Sequence, residues 1–213
     1  MRILVFGATG NVGRRVVTEA LARGHEVTAV VRNPARVDEI PEGAKPRIGD
    51  AAKAAEVAAL TAGQDVVITA TRPAPGNEKD LVETTESLLT GLAESDARLL
   101  VVGGAGSLSV PDGNGTLVVD DPRFVPPAWR PIAQACTEQL EACRAATAID
   151  WAYLSPPALL EPGTRTGRYC LGSNELLIDD EGRSAISMED LAVALLDEAE
   201  RPRHHRARFT VAS

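Results

Sequence analysis

Short, continuously apolar runs alternate with longer stretches whose apolar residues recur at helical spacing. Ile3–Phe6 predicts a strand, followed by an amphipathic helix from about Asn11 to Arg23. Glu26–Val31 predicts a second strand and Pro46–Ile48 a short third, which ends at Gly49-Asp50. Ala51–Leu60 reads as helix, Asp65–Ala70 as strand, Glu78–Glu94 as helix and Arg98–Val102 as strand. A helix from Pro131 to about Thr147 leads into a strand at Trp151–Leu154. Strands that are apolar on both faces and separated by helices indicate a parallel sheet covered on both sides. With right-handed crossovers, this gives an α/β, doubly wound parallel-sheet Rossmann fold, expected as a single domain over residues 1–213.

Two segments break this rhythm. From Gly103 to Arg130 the chain has no clear period and holds four prolines and four glycines beyond Gly103. Long irregular loops inside compact domains are usually functional or disordered. Ser155–Ser187 is the second irregular stretch, with short strand candidates at Arg168–Leu171 and Glu175–Ile178. A helix at Met188–Glu200 and a strand at Ala207–Val211 close the chain. The substrate side is therefore expected from residues 103–131 and 155–187, the latter forming a small irregular C-terminal region.

Composition narrows the function. A formal net charge of −8 argues against a nucleic-acid partner, since such affinity rests on clustered Lys and Arg. No apolar run is long enough for a membrane span and no secretory leader is evident, so a cytoplasmic location is expected. Cys136, Cys143 and Cys170 have no metal-ligand spacing, and neither do His25, His204 and His205, so no metal is expected. Cys136 and Cys143 lie on one predicted helix with Cα atoms roughly 10 Å apart, too far for a disulfide.

The N-terminal "FGATGNVGRR" carries the main chemical signal. Gly7, Gly10 and Gly13 fall where a strand turns into a helix. There glycines permit a tight turn, a close backbone approach to a diphosphate, and close helix–sheet packing. Gly7, Thr9, Gly10, Asn11, Val12 and Gly13 are therefore candidate dinucleotide contacts; the bland alternative is a glycine-rich surface turn. After the second strand, "VVRNPARV" offers Arg32 and Arg36 where an NAD-selective site usually carries a carboxylate. Paired guanidinium hydrogen bonds suit a 2′-phosphate, which favours NADP over NAD, although both arginines also suit a solvated loop. Asp50 either touches the adenine or caps the helix at Ala51–Leu60.

Over nearly its whole length the chain resembles the atypical short-chain dehydrogenases of the NmrA-like, NAD(P)-binding type. Within them it is similar to the NADH-flavin reductases related to biliverdin reductase B. The stretches that carry this are "GATGNVG", "HEVTAVVRNP", "VVGGAGSL", "IDWAYLSPPALLEPGTRTGRYCLG" and "GRSAISMEDLAVALLDEAERPRHHRARFTVA". The resemblance implies a nicotinamide cofactor and a small planar acceptor such as a flavin or quinone.

Strand ends predict the rest of the site. Thr69, Ala70 and Thr71 are expected along the cofactor's ribose and diphosphate. Gly103, Gly104 and Ala105 are expected to form a thin wall beside the nicotinamide. Ser107 and Ser155 are the polar candidates for catalysis. Ser107, Phe124, Trp129 and Pro156 are candidates for acceptor binding, the two aromatic rings serving either as covers for a planar ligand or as loop anchors. Conventional short-chain dehydrogenases use a Tyr with a Lys four residues later. Here Tyr153 is followed by Pro157 and Tyr169 by Ser173. Gln134 and Glu138 read as helix surface. Three functions fit: a reductase of a conjugated acceptor, a dinucleotide-sensing regulator, and a biosynthetic epimerase or dehydratase. The oligomeric state stays open.

Overall fold

A computed structural model describes residues 1–213. In chain order the elements begin with β1 (Arg2–Phe6), α1 (Asn11–Ala22), β2 (Glu26–Val31), β3 (Lys45–Ile48) and α2 (Ala54–Thr61). Then come β4 (Val66–Thr69), α3 (Asp80–Leu92), β5 (Arg98–Val102), α4 (Arg130–Ala145) and β6 (Trp151–Ser155). The chain ends with β7 (Leu159–Glu161), β8 (Cys170–Gly172), β9 (Ala185–Ser187), α5 (Met188–Glu200) and β10 (Ala207–Ala212).

Eight strands form one sheet in the order β3-β2-β1-β4-β5-β6-β10-β8. All neighbours run parallel except β10 and β8. The order 3-2-1-4-5-6 is that of a Rossmann fold. β7 and β9 form a separate parallel pair. Along β1 the pleat sends Ile3 and Val5 to one face and Leu4 and Phe6 to the other. The first pair packs with Val16, Leu191 and Leu195 of α1 and α5. The second packs with Val57, Leu88 and Leu140 of α2, α3 and α4. A third, smaller cluster of Leu108, Val110, Val118 and Leu176 joins the two irregular segments.

Several boundaries differ from the sequence reading. α2 starts at Ala54 with Lys53 at the N-cap position, so Asp50 does not cap it. Instead Asp50 Oδ1 accepts from Ala52 N–H (3.0 Å) and its own N–H donates to Glu56 (2.9 Å), making a turn ahead of the helix. The strand expected at Arg168–Leu171 is β8, displaced toward Gly172. Glu175–Ile178 is not a strand. Its ladder contact is a single bridge between Ser109 and Glu175, and Leu176 is a buried plug in the third cluster. β3, at one edge of the sheet, is exposed throughout and places Pro46 between Lys45 and Arg47.

The second irregular segment is fastened by charge. Asp190, 1% exposed, accepts from Thr166 N–H (2.8 Å), Gly167 N–H (2.7 Å) and Thr166 Oγ1 (2.6 Å). Ser187 caps α5 by accepting from Asp190 N–H (3.0 Å). Glu19 holds Arg23 and Arg165, and Glu189 pairs with Arg15 while accepting from Gly163 N–H. Replacing the buried Asp190 by Ala removes three hydrogen bonds to a carboxylate and the tie to the second irregular segment, so Asp190→Ala is expected to lose about 3 kcal/mol of stability. Urea unfolding checks this; a loss below about 1 kcal/mol would show that solvent replaces those bonds freely.

Candidate functional site

The three glycines after β1 do different things. Gly7 has φ +76°, and a Cβ there would lie 2.5 Å from the Ala70 carbonyl oxygen. A Cβ on Gly13 would lie 2.0 Å from the Gly7 carbonyl oxygen. The fold itself forbids a side chain at both. Gly10 has ordinary extended geometry (φ −74°, ψ 168°), and a Cβ there would meet only Gly7 O at 3.2 Å. Internal packing forbids a side chain at Gly7 and Gly13, whereas at Gly10 a Cβ would need the Gly7 carbonyl to give only by a few tenths of an ångström.

Gly10 is also the N-cap of α1, which has no side-chain cap and no acidic residue in its first turn. α5, by contrast, has both. The amides of Asn11, Val12 and Gly13 therefore lack an acidic side chain, and the positive end of the helix dipole faces outward. Such a terminus is suited to an anion, and a diphosphate fits it. Arg36 reaches the same turn, donating to the Thr9 carbonyl (3.2 Å). It also forms a paired contact with Glu39 (2.8 and 2.7 Å), which holds that carboxyl below its usual range. Arg32 is exposed and has no side-chain partner. Thr69 and Thr71 share a hydroxyl contact (3.1 Å) at the end of β4, and Ala70 N–H donates to Phe6 O (3.0 Å).

The wall after β5 rests on a buried tyrosine. A Cβ on Gly103 would lie 1.9 Å from the Tyr153 ring, and one on Gly104 2.7 Å from Cys136 Cβ. The Tyr153 hydroxyl accepts from Gly104 N–H (3.3 Å) and donates to the Cys136 carbonyl (2.8 Å). Tyr153 is 0% exposed, and burial pushes its phenol well above the ordinary value. It is a support and not an exposed acid. Tyr169 donates to Asp197 of α5 (2.7 Å). Burial likewise pushes the Cys136 thiol up to about 11.

The acceptor-side candidates separate. Ser107 is partly exposed, and its Oγ accepts from Arg208 Nη1 (2.9 Å). Ser155 is 0% exposed with an unpartnered hydroxyl, and Pro156 is buried, so neither reaches open surface. Ala105 and Phe124 pack on the third cluster, which makes Phe124 an anchor of its loop. Trp129 is 55% exposed, and the Arg72 guanidinium lies 5.2 Å from its ring centre. This cation–π contact joins the loop after β4 to the turn before α4. His25, His204 and His205 contact Glu200, Glu198 and Asp150, and no group of side chains has the makings of a metal site. No helix is long and apolar enough to cross a membrane.

Sequence reasoning missed the contact of Arg72 with Trp129, the place of Arg208 and the supporting role of Tyr153. A tyrosine in an otherwise apolar strand was the available signal for Tyr153. For the two arginines there was none, because their meaning depends on neighbours distant in sequence.

Residues 7–202 match the NAD(P)H-binding family. The chain belongs to that family. It is 40% identical to YwnB, an uncharacterized protein of Bacillus subtilis, over 100% of this chain and 99% of YwnB. Among solved structures it is similar to a candidate NADH-flavin reductase from Streptococcus pneumoniae. That likeness has 32% identity, a TM-score of 0.88, and coverage of 100% of this chain and 99% of the other. A candidate epimerase from Bacteroides thetaiotaomicron is also similar, with 38% identity and a TM-score of 0.90 over 99% of this chain and 96% of the other. A nicotinamide-dinucleotide site on a Rossmann sheet is thus a property of the family, as the resemblance implied.

The contrast between the glycines is testable. Gly10→Ala should fold with only a modest fall in melting temperature yet bind the nicotinamide dinucleotide at least about tenfold more weakly. Gly13→Ala should be grossly destabilised, because backbone cannot yield to a 2.0 Å contact. Unchanged dinucleotide binding by Gly10→Ala in a fluorescence titration would remove Gly10 from the cofactor seat.

Proposed function

We propose that this protein is an NADPH-dependent reductase that passes hydride to a small planar conjugated acceptor, a flavin or a quinone. The observation that carries the reading is the bare backbone at Gly10, with no side-chain cap and no acid at the start of α1. There the amides of Asn11, Val12 and Gly13 hold the diphosphate. Thr69, Ala70 and Thr71 line its path, and the wall of Gly103 and Gly104, braced by Tyr153, flanks the nicotinamide. When bound, the reduced nicotinamide supplies the hydride; the protein supplies position.

Proton chemistry narrows the acceptor. Tyr153 is enclosed and committed to the Cys136 carbonyl, and no lysine follows either tyrosine at the spacing that would activate it. Reduction of a simple ketone needs such a donor. A flavin or quinone spreads the charge it receives over a conjugated ring and takes its proton from water. Epimerase chemistry needs a placed proton acceptor, and the enclosed Ser155 does not provide one. Trp129 and Arg72, from opposite loops, supply an exposed flat surface suited to a planar ligand.

Steady consumption of NADPH in the presence of FMN or a soluble quinone is the expected result. Tight NADPH binding with no turnover across flavins and quinones would instead identify a dinucleotide sensor.

Cofactor choice falls on Arg32. Arg36 is already neutralised by Glu39 and braces the glycine turn through the Thr9 carbonyl, whereas Arg32 is free to meet a 2′-phosphate. Arg32→Asp should weaken NADPH by more than about tenfold and leave NADH unaffected or improved, matching the loss of a charge-assisted pair. In the parent protein, added salt should narrow the preference for NADPH. A parent that favours NADH, or a variant that weakens both cofactors equally, would reassign Arg32 as an ordinary loop charge.

A further inference from the structure

Four arginines of this chain are not exposed: Arg15, Arg23, Arg98 and Arg208. Three of them pair with carboxylates, Arg15 with Glu189, Arg23 with Glu19 and Arg98 with Glu198. Arg208 has no such partner. Glu141, the carboxylate whose charge acts on it, is held by Arg144 at 2.7 Å. Burial pulls the Arg208 guanidinium below its ordinary value, as expected for a cation taken from water without a counter-charge.

Neutral oxygens hold Arg208 instead. Nη1 donates to Ser107 Oγ (2.9 Å), while Nη2 and Nε donate to Asn174 Oδ1 (2.7 and 3.3 Å). Ser107 lies on the loop leaving β5, and Asn174 lies in the segment after β8. These two segments are stitched together beside the guanidinium: Ser109 N–H donates to Asn174 O (2.9 Å) and Leu176 N–H to Ser109 O (2.9 Å). The cation therefore sits at the seam of the two irregular segments that border the acceptor side. One N–H on each terminal nitrogen is unclaimed. Because Ser107 Oγ is used as an acceptor, its own proton is free to be donated. Three donors and an unbalanced positive charge thus meet at one partly exposed place.

We propose that Arg208 and Ser107 form an anion-binding subsite, and that the acceptor carries a carboxylate or phosphate that supplies the missing counter-charge. This rests on the reductase reading and narrows it to anionic acceptors. A guanidinium suits both groups, since either can take paired N–H donors. Asn174, lacking charge, orients the guanidinium without neutralising it.

Matched pairs of ligands test the proposal. FMN and riboflavin share a ring system and differ by a phosphate; naphthoquinone with and without a ring carboxylate gives the second pair. Binding is read by fluorescence quenching in the absence of NADPH, and KM is read with NADPH present. In the parent protein one charged member should bind at least about tenfold more tightly than its neutral twin. Arg208→Met should abolish that difference, and Arg208→Lys should restore part of it. The Kd for NADPH should stay the same in both variants. Discrimination in the flavin pair identifies a phosphate, and in the quinone pair a carboxylate. A parent that discriminates in neither pair overturns the subsite, whether or not the variants fold. So does a folded Arg208→Met that keeps the discrimination. Failure to bind NADPH at all would instead remove the reductase reading.

Discussion

Where β1, α1 and β4 converge, backbone rests on backbone with no room for a single methyl group. Gly13 lies against the Gly7 carbonyl, and Gly7 lies against the Ala70 carbonyl. That closeness sets the first turn of α1 directly over the end of the parallel sheet. It also fixes where the free amides of the helix point, and which loops can reach them. Arg36 braces the turn from the side, and the end of β4 approaches from beneath. The β5 exit repeats the device: Gly103 and Gly104 let a loop lie flat on Tyr153 and α4. Both turns are packed main chain, so their shape tolerates little change.

Carboxylates in excess give the formal charge of −8, yet the buried ones serve structure. Glu19, Glu198 and Asp190 each collect several donors: Glu19 and Asp190 tie helices to the second irregular segment, and Glu198 ties α5 to Arg98 of β5 and to the turn at His204. Arg32, Arg72 and Arg208 are among the cations without a carboxylate partner, and they fall at the ends of strands or at a loop seam. An acidic protein can present a locally positive site wherever unpaired cations gather.

The sheet was legible because buried parallel strands are continuously apolar, and Ile3–Phe6, Arg98–Val102 and Trp151–Leu154 show this without ambiguity. The glycine turn was legible because three glycines at a strand–helix junction have few uses. Short pairings were not. β7 sits between prolines, and its partner β9 lies far along the chain, so nothing local marks either. Glu175–Ile178 looks like a strand, but Leu176 fills a small loop core and its N–H donates to the Ser109 carbonyl. Asp50 precedes a helix-forming run, yet the chain spends one turn before that helix begins. Arg208 was silent for a different reason. Its significance is a missing neighbour, and a missing neighbour has no sequence signature.

The exposed edge at β3 has a consequence for how these molecules behave when crowded together. Gly49 N–H donates inward to Val31 O (3.1 Å), so by the alternation of a parallel ladder the Pro46 nitrogen faces outward. Proline has no hydrogen to offer there, and Lys45 and Arg47 flank it with like charge. An incoming strand would find an incomplete ladder and a repelling pair of side chains. At the far edge, β8 is three residues long and runs antiparallel, which gives a visiting strand little to extend. An eight-stranded sheet with open margins is a template for fibrils. This one is blunted at both rims, by an imino ring on one side and by brevity on the other.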